Sequence, residues 1–265
     1  MAAEVWQNAA ALERYVGRWS RLVAREFLDW LGPAAGLSWL DVGCGGGALS
    51  RSVLDLAEPA EVVGVDPSAP FVEYAAATIA DPRASFAVGD AQALPYPDGR
   101  FDVVASSLVI NFIPDPAGGV AEMARVVRPG GTVAGFVWDY AGEMQLMRRF
   151  WDAAVALDPD ARELDEGRRM AICDPGRLRA LFETAGLSGV ETRPIDVPTV
   201  FADFDDYWTP FEGGQGPAPT YCMSLPEERR AALRERLCDT LPVAADGSIH
   251  LIARAWAVRG TRPWS

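Results

Sequence analysis

Residues 39–47 read Trp-Leu-Asp-Val-Gly-Cys-Gly-Gly-Gly, and their reading decides the fold. A short apolar run ends in an acid, and glycines follow at 43, 45, 46 and 47. Residues 48–54, Ala-Leu-Ser-Arg-Ser-Val-Leu, then have helical spacing. The order is therefore strand, tight turn, helix. Glycine belongs in such a turn where the backbone takes positive φ or where a ligand comes close to bare backbone. The start of the helix aims free N–H groups at whatever occupies the turn. An ordinary glycine-rich connection between strand and helix is the bland alternative.

Two patterns fit the same letters. Gly43 to Ala48 satisfies G-x-G-x-x-G/A, the dinucleotide fingerprint, whose glycines admit a pyrophosphate. With Asp41 included, the segment also satisfies acid-x-G-x-G-x-G. Downstream residues discriminate. Residues 61–66, Glu-Val-Val-Gly-Val-Asp, form a second buried-type strand ending in an acid, and an acid there suits ribose hydroxyls in either case. A third strand, residues 84–88, runs into Gly89-Asp90-Ala91. The fourth covers residues 101–108, and Arg125-Val126-Val127-Arg128-Pro129-Gly130-Gly131 precedes a fifth at 132–138.

Taken together, residues 36–138 resemble the class I S-adenosylmethionine (SAM)-dependent methyltransferases, specifically the small-molecule, ubiquinone/menaquinone-biosynthesis-like (type 11) enzymes. The resemblance implies that Asp66 and its neighbour Pro67 hold the ribose and that Asp90 and Ala91 hold the adenine. It implies that Gly43, Cys44 and Gly45 approach the amino-acid part, with Asp41 orienting the site and Ser106 beside it. Acids at 41 and 66 oppose a pyrophosphate and suit a sulfonium and an ammonium. The cofactor implied is SAM, with S-adenosylhomocysteine (SAH) as product and no metal.

Composition narrows the partners. The chain has 265 residues, 49% of them apolar, enough for a sizeable core. A net charge of −13 argues against nucleic acid, which demands a basic face. There is no apolar run long enough to span a membrane, and residues 1–4 lack a signal-peptide start, so no membrane insertion and a cytoplasmic protein are expected. The four cysteines, 44, 173, 222 and 238, show neither metal nor redox spacing. The 24 basic residues are all arginine, which excludes lysine chemistry.

The expected fold is α/β: a Rossmann-like, doubly wound sheet of seven strands, mostly parallel, the last antiparallel at the edge. An N-terminal helical cap covers 1–35, the cofactor-binding core 36–139, a lid insertion 140–174, and the rest of the sheet 175–265, interrupted by a second insertion at 201–243. The first helix is predicted over 9–31, with Leu12, Tyr15, Trp19, Val23 and Phe27 on one face and Gly32-Pro33 as its stop. By resemblance, Tyr15 touches the acceptor and Arg18 the methionine carboxylate; simple packing is the alternative. Ser68 and Asp115 read as N-caps, and Asp174-Pro175 opens a further helix. The run from Pro210 to Pro219 reads as a proline- and glycine-rich loop.

Methyl transfer needs alignment above all, and a base only for a neutral oxygen or carbon acceptor. The candidate catalytic residues are Asp139 and Tyr140, directly after the fifth strand, and His250, the one histidine. Turn formation is the alternative for the first two, and an ordinary strand position for the third. Asn111 and Phe112 follow the fourth strand, where relatives line the transfer channel. Met144, Met147 and Trp151 in the lid, with Trp208 in the second insertion, are candidates for an apolar acceptor, or else for plain packing. A small-molecule acceptor bound at its O, N or C atom, in secondary metabolism, follows from the resemblance, as does a monomer or homodimer. The rival readings are a SAM-binding protein of cyclase or decarboxylase type that does not methylate, and a nicotinamide-dependent oxidoreductase.

Overall fold

The computed structural model describes residues 17–214 and 216–264. Tyr15 and the first eight residues of the helix expected at 9–31 lie outside them. In chain order the elements are α1 (Arg18–Leu31), β1 (Ser38–Val42), α2 (Ala48–Leu56), β2 (Glu61–Asp66), α3 (Ala69–Thr78), β3 (Ala84–Val88), β4 (Phe101–Ser107), α4 (Pro116–Val126), β5 (Val127–Trp138), α5 (Gln145–Leu157), α6 (Glu166–Arg169), α7 (Pro175–Thr184), β6 (Ser188–Phe201), α8 (Phe204–Trp208), α9 (Pro217–Ser224), α10 (Glu227–Thr240) and β7 (Ile249–Thr261). No helix among the described residues is long and apolar enough to cross a membrane.

The seven strands form one sheet in the order β3-β2-β1-β4-β5-β7-β6. β1 pairs parallel with β2 and β4, β2 with β3, and β4 with β5. A strand flanked on both edges and covered on both faces must be apolar throughout, and β1 is buried along Trp39–Val42. The last strand runs the other way. Arg262 N–H donates to Gly131 O (3.0 Å) near the start of β5, and Asp139 N–H donates to Arg254 O (2.9 Å) just past its end. Its antiparallel direction is as expected, but its place is not. β7 is inserted between β5 and β6, which leaves β6 and β3 at the edges. The alternation of β7 from Ile249 to Ala255, with Ile249, Leu251, Ala253 and Ala255 buried and the residues between them more exposed, belongs to an interior strand with one well-covered face.

Several boundaries differ from the sequence expectation. β5 begins at Val127, five residues before the predicted start, because the α4 helix stops at Val126 ahead of Pro129. Asp174 caps α7 by accepting Arg177 N–H at 3.0 Å, as its position predicts. Ser68 and Asp115 occupy N-cap positions but make no side-chain cap bond. The run from Pro210 to Pro219 is not a plain loop in its described residues: a 3-10 turn covers Thr209–Gly213, and α9 begins at Pro217, which supplies a preset first turn.

The chain forms two compact units. The core unit takes Ser20–Val137, Ile172–Ile195 and the residues from Ala255 onward. In it, α1 buries Val23, Phe27 and Leu28, and Phe27 meets Phe136 edge-on at 5.0 Å between centroids. The second unit takes the residues up to Trp19 together with Trp138–Ala171 and Asp196–Arg254, and so holds both insertions. Its centre is aromatic: Phe150 stacks on Phe211 at 4.4 Å, Trp151 meets Tyr221 at 5.4 Å, and Tyr207 donates its hydroxyl to Leu146 O at 3.0 Å. Arg148 clamps Asp165 through two nitrogens, at 2.7 and 3.0 Å, and this pair is largely buried. Removing one partner of such a pair strands the other charge, so Arg148→Ala should lower the unfolding free energy by about 3 kcal/mol or more in chemical denaturation. A loss below about 1 kcal/mol would mean the pair is solvated like a surface bridge.

Candidate functional site

The glycine turn is held by its own backbone. Gly43 and Cys44 donate their N–H groups to Val65 O at 2.7 and 3.0 Å, which ties the end of β1 to the end of β2. Gly43 has φ of 74° and Gly47, at the start of α2, has φ of 84°. A methyl group on Gly43 would overlap the Val109 side chain, and one on Gly47 would overlap Ile79. These two are glycines for packing and conformation. Gly45 is different: a Cβ there would meet nothing within 4 Å, although φ is 50°. Its α-carbon faces open space, which is the position where a ligand can lie on bare backbone.

Two acids flank that opening. Asp66 is 7% exposed and sits at the carboxyl end of β2. Its Oδ2 accepts Gly45 N–H and its Oδ1 accepts Ser68 N–H, both at 2.9 Å. Burial raises its pKa above the usual carboxylate value, and the two N–H bonds oppose that rise. Asp41, on β1, is deeper. Its Oδ2 accepts both the N–H (3.0 Å) and the hydroxyl (2.7 Å) of Ser50 in α2. Its Oδ1 is buried with no partner among the described residues. Burial pushes the Asp41 pKa up to about 7, with a small further rise from Asp66.

Asp41 therefore makes stability depend on pH. A folded-state value above the ordinary 3.8 means that the folded chain binds the proton more tightly than the unfolded one. The contribution is complete below about pH 4 and is lost as pH rises to about 7. Its full extent is on the order of 4 kcal/mol. Asp41→Asn, which keeps an acceptor for Ser50, should flatten the fall in melting temperature between these pH values. An undiminished fall would assign it to other groups.

The third acid differs in kind. Asp90 is exposed, and its carboxylate accepts the backbone N–H (2.9 Å) and side-chain amide of Gln92. Ala91 follows it, and Pro67 follows Asp66. Asp41 is paired with Ala105 on β4, so the side chain of Ser106, the next residue, points to the opposite face of the sheet from Asp41. Ser106 Oγ is fully buried and has no partner among the described residues. Beyond it the chain turns sharply at Leu108, whose φ of 60° is rare for a branched residue. That turn sets Val109 against Gly43, and Asn111 and Phe112 follow in a 3-10 turn. Ser50 and Leu108 were not foreseen. A serine in the first turn after a glycine loop was a visible signal for Ser50, whereas Leu108 carries none.

The cysteine in the turn is buried, and desolvation drives its pKa far up, so it is an inert thiol. Cys44 thus fills space in the loop.

The candidates in the second unit are employed in its own architecture. Asp139 Oδ1 accepts Gly142 N–H (3.1 Å) and Oδ2 accepts Glu143 N–H (3.0 Å), which is turn formation. Tyr140 is buried, and its carbonyl accepts from Arg148 at 3.3 Å. His250 is exposed at the start of β7, with Ser248 Oγ 2.8 Å from its Nε2. It precedes Arg254, the β7 partner of Asp139, by four residues, or about 13 Å of strand, so the two are not brought together. Met144, Met147, Trp151 and Trp208 are buried in the packing. Trp151 donates its indole N–H to Glu166, and Trp208 donates to Glu212 Oε1 at 2.9 Å. Helical spacing of large apolar residues serves a core and a pocket equally, which is why the sequence left both open. Arg18 turns to Asp206 at 3.2 Å. Among the described residues no group of three or more His, Cys, Asp or Glu side chains is placed to hold a metal ion.

The residues of the core unit fit a cofactor with a positive charge, a sugar and little need for phosphate donors. Asp41 Oδ1 has no partner among the described residues, Gly45 leaves room, and two carboxylates repel a pyrophosphate.

Comparison with known proteins agrees. Residues 40–135 match a family model described as a methyltransferase domain. Over 184 residues the chain is 36% identical to a 2-methyl-6-phytyl-1,4-hydroquinone methyltransferase of Synechocystis, covering 68% of this chain and 56% of that protein. It is 32% identical to a demethylmenaquinone methyltransferase of Beutenbergia cavernae, covering 66% of this chain and 75% of that protein. The chain thus spans little more than half the length of the Synechocystis relative and three quarters of the other. The fold matches that of a Haemonchus contortus phosphoethanolamine N-methyltransferase 2 solved with SAM, with a TM-score of 0.61 at 19% identity, over 96% of this chain and 56% of that one.

Proposed function

The chain belongs to the class I SAM-dependent methyltransferases of the ubiquinone/menaquinone-like type, and from that premise we propose that it moves a methyl group from SAM to a small-molecule acceptor. The observation that carries this reading is the open face of Gly45, whose N–H is held by Asp66, in the turn that follows the unpartnered Asp41 Oδ1. When bound, SAM supplies an electrophilic methyl group on a sulfonium, which leaves without needing a proton.

The residues of the core unit bind and orient. Asp66, held by Gly45 and Ser68, takes the ribose hydroxyls. Gly43, Cys44 and Gly45 give the backbone approach, with Pro67 shaping the far side of Asp66. Asp41 Oδ1 takes a hydrogen bond from the amino-acid end, while Ser106 joins this set through the resemblance alone. Asp90 and Ala91 take the adenine. Alignment of acceptor, methyl and sulfur is then the main source of rate, for which effective concentration provides roughly 7–11 kcal/mol.

Base catalysis is assigned to none of Asp139, Tyr140 and His250. The Asp139 carboxylate is occupied by two backbone N–H groups. The reading therefore favours an acceptor whose O, N or C atom is already nucleophilic, such as an amine or an acidic enol or phenol. Incubating the protein with SAM and such acceptors, and following SAH and methylated product by mass spectrometry, tests the activity. Stoichiometric product supports it; SAH binding without turnover of any acceptor would favour the cyclase-type reading.

A cationic ligand beside Asp41 favours its charged form, so cofactor binding should release about half a proton at pH 7. Calorimetry in buffers of different ionisation enthalpy reads this directly. A binding enthalpy independent of buffer, in both the native protein and Asp41→Asn, would remove Asp41 from the site.

A further inference from the structure

Unpartnered buried polar atoms marked the cofactor side of the core unit, and a second group of them lies in the other unit. Arg18 Nε, Trp19 Nε1 and Thr199 Oγ1 are buried and have no hydrogen-bond partner among the described residues. Trp19 is 6% exposed and Thr199 is 0% exposed. The three belong to one cluster built around Phe201. The Arg18 guanidinium carbon lies 4.2 Å from the Trp19 ring centroid and 4.9 Å from that of Phe201. Trp19 meets Phe201 edge-on at 5.4 Å, and Phe201 meets Tyr207 at 5.3 Å. Thr199 precedes Phe201 by two residues on β6, where buried and exposed positions alternate strictly from Ile195 onward. Both side chains therefore share the buried face, about 7 Å apart along the strand.

Each buried polar group without a partner costs about 1–3 kcal/mol, a large share of a domain's net stability when three occur together. The atom types say what is missing. The indole and guanidine N–H groups only donate, and the threonine hydroxyl is able to donate as well. The absent partner is thus a hydrogen-bond acceptor. Its charge is also constrained. Arg18 is already neutralised by Asp206 at 3.2 Å, and that carboxylate is itself fixed by Ala202 N–H at 3.0 Å. An anion would face Asp206, whereas an uncharged oxygen would not. The flanking rings provide flat apolar walls.

We propose that Arg18 Nε, Trp19 Nε1 and Thr199 Oγ1 form a subsite for an uncharged carbonyl oxygen carried on a flat apolar small molecule. The description of that molecule as the methyl acceptor rests on the proposed methyltransferase activity; the subsite itself does not. Trp19 and Thr199 are then specificity residues, selecting oxygenated over plain hydrocarbon bodies because only the former satisfy the donors.

The test uses the full chain labelled with 15N and a matched pair of probes, 1-tetralone and tetralin, which share a body and differ by the carbonyl. Trp19→Phe assigns the Trp19 indole resonance. Adding 1-tetralone should move that resonance downfield, and tetralin should not. Thr199→Val should weaken 1-tetralone about fivefold, the equivalent of one neutral hydrogen bond, while leaving SAH affinity unchanged. Its melting temperature should stay level or rise, because an unsatisfied hydroxyl has been removed. No 1-tetralone shift, equal binding of the two probes, or a fall in melting temperature with Thr199→Val would each overturn the subsite, the last by revealing a bound water or an internal partner. Failure of the methyltransferase reading shows separately, as absence of SAH binding to the unmodified chain.

Discussion

Asp66→Ala is expected to weaken SAM and SAH binding at least tenfold, equivalent to about 1.4 kcal/mol or more. The carboxylate does two things at once. It accepts Gly45 N–H and Ser68 N–H, and so fixes the glycine turn to the start of α3. Its remaining lone pairs are what the ribose hydroxyls would use. Alanine removes both, and leaves two backbone donors at a nearly dry position, each worth about 1.5–3 kcal/mol when bonded to a charge. The melting temperature should therefore fall together with the affinity. Asp66→Asn separates the two effects: it preserves the shape and one acceptor oxygen but presents an amide to one of the N–H groups. Unchanged SAH affinity in Asp66→Ala, measured by calorimetry, would remove the acid from the cofactor site.

The glycines of the same turn give the second large effect, and it is a contrast. Gly43→Ala should destabilise the protein, since φ is 74° and the new methyl overlaps Val109. Left-handed strain of about 1–2 kcal/mol and overpacking of about 1–3 kcal/mol add to roughly 2–5 kcal/mol. Gly45→Ala meets no protein atom within 4 Å, so only the strain of φ 50° remains. Its methyl instead projects into the space reserved for the ligand. Gly45→Ala should thus keep most of the stability and lose at least tenfold in SAH affinity, worth about 1.4 kcal/mol. Thermal melts and titrations on the two variants distinguish them. Equal affinity losses at equal stability would mean that Gly45 does not face the ligand.

The core of the fold was legible because its determinants are local. Apolar runs ending in acids gave β1, β2 and the turn between β1 and α2, and their parallel pairing follows from the intervening helices. The position of β7 was not legible. Nothing in residues 249–261 states whether an alternating strand closes an edge or enters between two others, since that depends on pairing with β5, more than a hundred residues away. The site divides in the same way. Glycines and acids announced the positions of Asp41, Asp66 and Asp90, but not that Asp90 would be exposed on Gln92 while Asp41 is buried with only its Oδ2 held by Ser50. In the second unit the stripe of Met144, Met147 and Trp151 satisfied a packing reading and a binding reading alike, and burial decided for packing. What burial left over there, the unpaired donors of Arg18, Trp19 and Thr199, has no signature in a single sequence.

The glycine turn at 43–47 fits two cofactors by pattern and one by chemistry. The most direct measurement is a calorimetric titration of the full chain with SAH and, separately, with NAD. SAH should saturate one site per chain with heat that depends on the buffer through Asp41, and NAD should give none. Saturable NAD binding with SAH silent would contradict the account at its root.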